Sequence, residues 1–157
     1  MIFLSLGTNV GNRLENLEKA ILLIQNHKKI NILLKSKVYV TSPMENFNQD
    51  NFLNQVIKIE TDIKPTLLLT FIKNIEKNMG RIKTKKKYMP RIIDIDILTY
   101  NDLIINNDNL SIPHPKIKLR KFILKPWSDI APDYILSNSK STIKQLLRDI
   151  SHLKDEV

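Results

Sequence analysis

The sequence predicts an α+β fold, and three observations point to it. Several segments alternate between apolar and polar residues, which is the period of a β-strand. Two other segments place apolar residues three and four positions apart, as an amphipathic helix does. The chain has 157 residues, of which 42% are hydrophobic and 26% charged, and this is the composition of a globular domain with a sizeable core. We therefore expect one domain over residues 1–157.

The first strand is predicted at residues 3–6, and a helix follows it. Asn12 and, three residues later, Glu15 form the capping-box pattern that marks the start of a helix. This helix is expected to end near His27. Its predicted apolar face consists of Leu14, Leu17, Ile21 and Ile24.

Two strands and a second helix are predicted next. Residues 30–41 are rich in Ile, Leu and Val and predict one long strand that Pro43 ends. Residues 52–61 predict a strand with Phe52 and Asn54 on one face. Pro65 suits the first turn of a helix, and Gly80 suits its C-terminal end.

Residues 93–97 alternate strictly between isoleucine and aspartate. The strand period places the isoleucines against a core, while Asp94 and Asp96 share the opposite face. Two carboxylates placed in this way can converge on one hard cation or bridge two. A solvated sheet face with no metal is the alternative, since many antiparallel strands alternate in this way.

A basic segment leads directly into the acidic strand. Its cations are Arg81, Lys83, Lys85, Lys86, Lys87 and Arg91. Acids that bind magnesium, next to bases that neutralise phosphate oxygens, are what a metal-bound polyphosphate requires. The alternative is a solvated, charged loop.

The remaining residues predict C-terminal additions. A short strand is expected at residues 103–105, and residues 112–115 should be rigid and extended, with His114 between two prolines. A helix from Arg120 should break near Pro126, and Ser141 should cap a final helix. The element order β-α-β-β-α-β with these additions predicts a ferredoxin-like antiparallel sheet, with helices on one face and the other face left for a ligand.

Composition limits the other functional classes. The chain has no cysteine, which excludes disulfides and cysteine-ligated zinc. The sequence has no pattern typical of a signal peptide or of a membrane span, so we expect a cytoplasmic protein. The net charge of +9 comes from 20 lysines and 5 arginines and invites a nucleic-acid interpretation. A Lys-, Ile- and Asn-rich composition also follows from AT-rich coding, so the arginines are the more informative cations.

Several motifs together resemble one known family, over nearly the whole chain. They are Ser5-Leu6-Gly7-Thr8-Asn9-Val10-Gly11-Asn12, Tyr39-Val40-Thr41-Ser42-Pro43, Asn51-Phe52-Leu53-Asn54, Glu76 to Arg81, Pro90-Arg91-Ile92-Ile93-Asp94-Ile95-Asp96-Ile97-Leu98 and Ile112-Pro113-His114-Pro115. With these motifs the chain resembles the 6-hydroxymethyl-7,8-dihydropterin pyrophosphokinase family of folate synthesis. The Pro-Arg-x-x-Asp-x-Asp-Ile-Leu stretch and the Pro-His-Pro stretch are each specific.

The resemblance implies an ATP-dependent pyrophosphokinase that transfers pyrophosphate from ATP to the hydroxymethyl group of the pterin and releases AMP. It implies two Mg²⁺ ions on Asp94 and Asp96, and catalytic roles for Arg81, Arg91 and Asp96. The implied ATP contacts are Lys73, Glu76, Arg81, Lys83, Lys87, Tyr88, Arg91, Ile97, Ser111, His114 and Arg120. The implied pterin contacts are Thr41, Ser42, Pro43, Met44, Phe52, Asn54, Asp94 and Phe122.

The sequence also departs from the family pattern. Tyr88-Met89 stands where Trp-Gly is usual, Lys83 and Lys87 replace arginines, and Phe52 replaces a tyrosine. Methionine has less backbone freedom than glycine, so closure of the basic loop is expected to differ. None of these changes affects the two carboxylates.

Two other functions remain as alternatives. A basic ferredoxin-like domain could bind RNA, although the sequence lacks the Lys/Arg-Gly-aromatic strand motif of such domains. A different magnesium-dependent nucleotidyl or phosphoryl transferase could use the same acids. We expect ATP and the pterin as partners of a monomer that binds neither nucleic acid nor membrane.

Overall fold

A computed structural model of the chain describes residues 1–43, 48–81 and 90–153. Its strands are β1 (Ile2–Thr8), β2 (Ile30–Lys35), β3 (Tyr39–Thr41), β4 (Phe52–Thr61), β5 (Asp94–Tyr100), β6 (Ile105–Asn106) and β7 (Ser111–Ile112). Its α-helices are α1 (Arg13–Gln25), α2 (Pro65–Asn78), α3 (Lys121–Ile130) and α4 (Ile143–Asp149). The predicted antiparallel α+β fold is confirmed, and the element order agrees with the predicted β-α-β-β-α-β except that its second strand is divided into β2 and β3.

The main sheet of the described chain has the strand order β2-β4-β1-β5, and β3 also pairs with β4. All of these pairings are antiparallel. The central position of β1 follows from the connections: α1 leads to β2, β4 returns between β2 and β1, and α2 carries the chain across β1 to β5. Strands β6 and β7 form a small separate ribbon. No helix in the described ranges is long and apolar enough to cross a membrane.

The prediction of one long strand over residues 30–41 is wrong, because Ser36 interrupts it. The Ser36 hydroxyl accepts a hydrogen bond from the backbone N–H of Val56 at 2.9 Å, and the Ser36 carbonyl accepts one from Gln55 Nε2 at 2.8 Å. Side-chain groups thus replace part of the regular ladder, and the strand divides into β2 and β3.

One face of the sheet packs against α1 and α2. Ile93, Ile95 and Ile97 are buried in this cluster, as their alternation with aspartate predicts. Asn12 caps α1 through Oδ1, which accepts from the Glu15 N–H at 3.2 Å. Leu14 was expected on the apolar face of α1, but its side chain is exposed. Ala20 is buried instead, so the apolar stripe of α1 begins one turn later.

The other face carries the C-terminal helices at one end. Phe3 and Leu98 of the sheet pack with Trp127 of α3 and with α4. The expected break near Pro126 is wrong, since α3 continues through this residue, whose side chain is buried. The final helix begins after Thr142, which forms the full capping box with Gln145, and not after Ser141. The strand expected at residues 103–105 is shifted to β6.

Candidate active site

The sheet face that carries the C-terminal helices is not covered by them at its other end. Three paired residues lie side by side across the strands there, and we call them the Asn54–Gly7–Asp94 row. Gly7 of β1 pairs with Asn54 of β4 on one side and with Asp94 of β5 on the other. Neighbouring strands lie about 4.8 Å apart, so Asn54 and Asp94 are separated by about 10 Å at the backbone. The sequence predicts both side chains on this face, and the structure places them there.

Gly7 is a part of the site that sequence analysis missed. A Cβ atom at this position would lie 3.1 Å from Asn54 Oδ1 and 3.9 Å from Phe52 Cδ1. The absence of a side chain at Gly7 therefore leaves the space beside the β1 backbone that the Asn54 amide oxygen occupies. The sequence motif contains this glycine, but only the strand register shows which side chains it separates.

Asp94 is held by two arginines. Arg81 Nη1 donates to Oδ1 of Asp94 at 2.6 Å, and Arg91 Nη1 donates to Oδ2 at 2.9 Å. Burial alone would raise the pKa of Asp94, but the charges of Arg91, Arg81 and Lys73 outweigh it and hold the pKa below its usual value. Asp94 is therefore ionised at neutral pH, and the two ends of the basic segment meet at one carboxylate.

Glu76 supports this arrangement from α2. Its side chain is only 3% exposed, and its carboxylate accepts from Lys73 Nζ at 3.0 Å and from Arg81. It also accepts from the backbone N–H of Ile95 at 3.2 Å. Glu76 thus fixes both an arginine and the peptide between the two aspartates, and Lys73 lies beside the acids.

Asp96 lies two residues along β5, on the same face as Asp94. Its side chain makes no hydrogen bond or ion pair with another residue of the described ranges. Burial, followed by the negative charge of Asp94, raises the pKa of Asp96 to about 7. A cation placed between the two carboxylates would remove this penalty, because it favours the ionised form of both.

The donor set fits a magnesium ion that is shared with a substrate. Within the described part of the chain, no three His, Asp or Glu side chains come together as a complete metal site. Magnesium in nucleotide sites is commonly held by one or two carboxylates, and it takes its other ligands from phosphate oxygens and water. Asp94 and Asp96 would provide those carboxylates, and the arginines beside them suit the phosphates.

His114 and Arg120 lie beside the acidic strand. The backbone N–H of His114 donates to the Leu98 carbonyl at 3.0 Å, which anchors the Pro-bounded segment to β5. Burial, followed by the charge of Arg120, lowers the pKa of His114 to about 4. The imidazole is therefore neutral at neutral pH. Its Nδ1 accepts from the Lys116 N–H at 3.3 Å, so the proton is assigned to Nε2.

We expect a His114→Gln variant to lose part of the acid sensitivity of folding. An unfolded histidine has a pKa of about 6.5, so a folded pKa near 4 stabilises the fold above pH 6.5, and this stabilisation is lost as the pH falls towards 4. One proton contributes at most about 1.4 kcal/mol per pH unit. Urea unfolding between pH 4.5 and 7.5 should show a shallower acid decline for the variant than for the parent protein.

The comparison with the parent protein is essential, because Asp96 acts in the opposite direction. Its raised pKa means that the fold gains stability as the pH falls from 7 towards 3.8. The slope of either protein alone mixes the two groups. Parallel curves for the variant and the parent would contradict the buried, neutral state of His114.

The side chains at the Asn54 end of the Asn54–Gly7–Asp94 row suit a flat heterocycle. Asn54 Nδ2 donates to Thr41 Oγ1 at 2.6 Å, and both side chains are buried. Phe52 is buried two residues before Asn54, while Phe122 is half-buried at the start of α3. Pro43 is also buried, and Ser42 is exposed.

The other predicted site residues divide into three groups. Ile97 is buried in the core against the helices, so a contact of Ile97 with ATP would have to use its backbone. Ser111 is half-buried on β7, where Oγ lies 3.5 Å from Asn106 Oδ1. Four predicted contacts lie outside the described residues: Met44, Lys83, Lys87 and Tyr88.

Asn9 is a second residue that sequence analysis missed as a part of the site. Its Oδ1 accepts from the Arg91 N–H at 2.7 Å, and its Nδ2 donates to Gln49 Oε1 at 2.8 Å and to the Asp50 carbonyl at 3.2 Å. One buried amide therefore joins the β1 end, the segment before β4 and the residue that leads into β5. The motif contains Asn9, but a role in joining distant segments leaves no periodic signal.

An antiparallel α+β domain whose free sheet face carries paired acids among arginines fits the class of metal-dependent phosphoryl-transfer proteins. The sequence model of the 7,8-dihydro-6-hydroxymethylpterin-pyrophosphokinase (HPPK) family matches residues 3–132. The chain belongs to this family.

Curated relatives and solved structures agree with this assignment. The chain is 39% identical to 2-amino-4-hydroxy-6-hydroxymethyldihydropteridine pyrophosphokinase of Aquifex aeolicus, over 92% of the chain and 88% of the relative. It is 44% identical to the folic acid synthesis protein FOL1 of Dictyostelium discoideum, over 86% of the chain but 20% of the relative. The chain thus spans about a fifth of the length of that longer protein. A crystal structure of Plasmodium falciparum HPPK-DHPS has the same fold, with a TM-score of 0.76 and 21% identity over 94% of the chain and 42% of that protein.

Proposed function

We propose that the protein transfers the pyrophosphoryl group of ATP to 6-hydroxymethyl-7,8-dihydropterin and releases AMP, as a step of folate synthesis. Membership of the family supports this reaction. The structural observation that carries it is the Asn54–Gly7–Asp94 row. An amide able to bind the edge of a heterocycle and a carboxylate among arginines lie on one sheet face, about 10 Å apart across two strand spacings. That separation suits a small acceptor at one end and a polyphosphate at the other.

In this reaction the hydroxymethyl oxygen bonds to the β-phosphorus of ATP while the bond from that phosphorus to the α-phosphate oxygen breaks. AMP leaves with the electron pair, and the hydroxyl proton is released. Such a transfer depends on positioning and on neutralisation of charge more than on covalent help from the protein. Asp94 and Asp96 would hold two magnesium ions, which when bound neutralise phosphate oxygens and orient them.

The cationic side chains have separate tasks in this proposal. Arg81 and Arg91 reach the phosphates from either end of the basic segment and stabilise the charge that develops on them, so these two and Asp96 are the catalytic residues. Lys73 adds a third positive charge beside the acids. Arg120 and the neutral His114 bind the nucleotide from the other side of β5. Their positions are fixed by separate contacts: Glu76 holds Arg81 and Lys73, Asn9 holds the Arg91 backbone, and the Leu98 carbonyl holds His114.

Product analysis tests the reaction directly. The protein is incubated with ATP, magnesium and the hydroxymethyl pterin, and the nucleotide products are separated. AMP formed only in the presence of the pterin supports pyrophosphoryl transfer. ADP would instead indicate simple kinase chemistry with the same acids. Salt-sensitive binding of RNA without magnesium, together with no nucleotide turnover, would favour the RNA-binding alternative.

We expect Asn54→Ala to weaken pterin binding by roughly tenfold or more while ATP binding stays unchanged, because an unpaired polar edge in a closed pocket costs about 1–3 kcal/mol. The structure adds that Asn54 Nδ2 is already used by Thr41. Because the amide nitrogen has two N–H groups, the pterin can bind Oδ1 or the second N–H of Asn54, or it can replace Thr41 as a partner. Titration with pterin in the presence of a nonhydrolysable ATP analogue, and with ATP alone, separates the two affinities. Equal losses for both ligands would remove Asn54 from the pterin site.

A further inference from the structure

Asp129, on the last turn of α3, links this helix to the segment that leads into β3. The Tyr39 hydroxyl lies 2.8 Å from Oδ1 and 2.9 Å from Oδ2 of Asp129. The backbone N–H of Lys37 also donates to Oδ2 at 3.2 Å. Two donors from one segment thus meet one carboxylate that is about 90 residues away in the chain. Neither the motifs of the sequence nor the reaction described above uses this acid.

One face of α3 carries the link. Phe122, Lys125 and Asp129 follow one another at spacings of three and four residues, which places them on one side of a helix. Lys125 Nζ lies 5.8 Å from the centre of the Tyr39 ring. The same face therefore contacts Tyr39 at two points and begins with Phe122, which the family resemblance implies as a contact of the pterin.

On its other side, β3 is joined to the amide that binds the pterin. Tyr39 pairs with Asn54 across the two strands, and Thr41 Oγ1 of the same strand accepts a hydrogen bond from Asn54 Nδ2. Strand β3 has only three residues and lies on one edge of β4. Short strands at a sheet edge open easily unless a second contact holds them. Asp129 supplies such a contact from α3.

We propose that Asp129 is a positioning residue for the pterin, one that sets the spacing between Phe122 on α3 and the Thr41–Asn54 pair on the sheet. This inference rests on the proposed function and on the pterin contacts that the family resemblance implies, which include Phe122, Thr41 and Asn54. The carboxylate touches neither substrate nor metal. It acts through Tyr39, so that the site is already formed when the pterin arrives and less binding energy is lost in ordering it.

The link between Tyr39 and Asp129 persists at neutral and mildly alkaline pH. Burial, followed by the hydrogen bond to Asp129, raises the pKa of Tyr39 to about 12. The phenol therefore keeps its proton and remains a donor at neutral and mildly alkaline pH. An ionised aspartate accepting from a neutral hydroxyl forms a charge-assisted hydrogen bond.

The test compares Asp129→Ala, Tyr39→Phe and the double variant with the control Asp133→Ala, which removes an exposed acid just beyond α3. With a nonhydrolysable ATP analogue present, each single variant should raise the Kd for the pterin about fivefold. The Kd for the analogue alone and kcat at saturating pterin should change less than twofold. Because both changes break one link, the double variant should be no worse than Asp129→Ala. Asp129→Asn, which keeps an acceptor oxygen, should recover part of the affinity.

Amide hydrogen exchange provides a readout that needs no substrate. Residues 39–41 should exchange faster in Asp129→Ala than in the parent protein, while β1 should not change. Unchanged pterin affinity in both single variants, additive losses in the double variant, or equal losses for the ATP analogue would each overturn the inference. If the parent protein forms no AMP with the pterin, the proposed function fails instead, and that assay uses no variant. A drop in Tm for Asp129→Ala leaves Tyr39→Phe as the deciding variant.

Discussion

Asp94→Ala and Asp96→Ala should each abolish turnover at saturating magnesium while the protein remains folded. Both acids lie on the free face of β5 and not in the core. The loss of one carboxylate weakens the hold on the ions that neutralise the transferring charge, and this is worth several kcal/mol. AMP formation measured at high magnesium, with circular dichroism as the check of folding, tests the expectation. Asp108→Ala, which removes an exposed acid elsewhere, should behave like the parent protein.

The two variants should differ in stability, and this difference is specific to the structure. Asp94→Ala removes the partner of both Arg81 and Arg91, so its Tm should fall. Asp96→Ala removes a carboxylate whose pKa is raised by burial and by Asp94, so at pH 8 without magnesium its Tm should hold or rise. Near-native turnover in either variant would contradict the metal assignment. A lower Tm for Asp96→Ala than for Asp94→Ala would contradict the electrostatics of the pair.

The fold was largely predictable because its main elements have strong periodic patterns. Strict alternation at residues 93–97 assigns one side to the core, and the structure buries all three isoleucines there. The pattern fails where side chains take over backbone hydrogen bonds. Ser36 divides the expected long strand, and Thr142 rather than its neighbour Ser141 caps α4. Both outcomes depend on local hydrogen bonds that composition and periodicity do not distinguish.

The acids of the candidate site were predictable, but their partners were not. The position of Asp94 and Asp96 together on the face opposite the core follows from the strand period alone. Arg81 and Arg91 both contact Asp94, and Glu76 contacts Arg81. These contacts depend on how α2 packs on the sheet. Contacts between segments far apart in sequence have no signature in a single chain. Gly7, Asn9 and Asp129 belong to this class, since each acts by what it joins or leaves open.

The two arginines should contribute more to catalysis than the lysines of the same basic segment. Arg81 and Arg91 are fixed beside the acids, and a guanidinium can bind phosphate oxygens with two parallel hydrogen bonds. Loss of a preorganised charge of this kind lowers kcat by about 10²–10³-fold. We therefore expect Arg81→Ala and Arg91→Ala to show losses of this order. Arg→Lys should recover only a part, because the charge is kept while the paired geometry is lost.

Lys85→Ala and Lys86→Ala are the matched comparison, because they remove the same charge from the same segment; both residues lie outside the described ranges. Their effect should be less than about fivefold, confined to ATP binding, and should vanish as salt is raised, since salt at 0.1 M screens charges that are more than about 10 Å apart. Steady-state kinetics at 20 and 200 mM salt separate the two groups, with kcat carrying the arginine effect and KM the lysine effect. Equal losses at all four positions would mean that the segment acts as a nonspecific electrostatic funnel. In that case the ion pairs of Arg81 and Arg91 with Asp94 would stabilise the fold only and would not position catalytic groups.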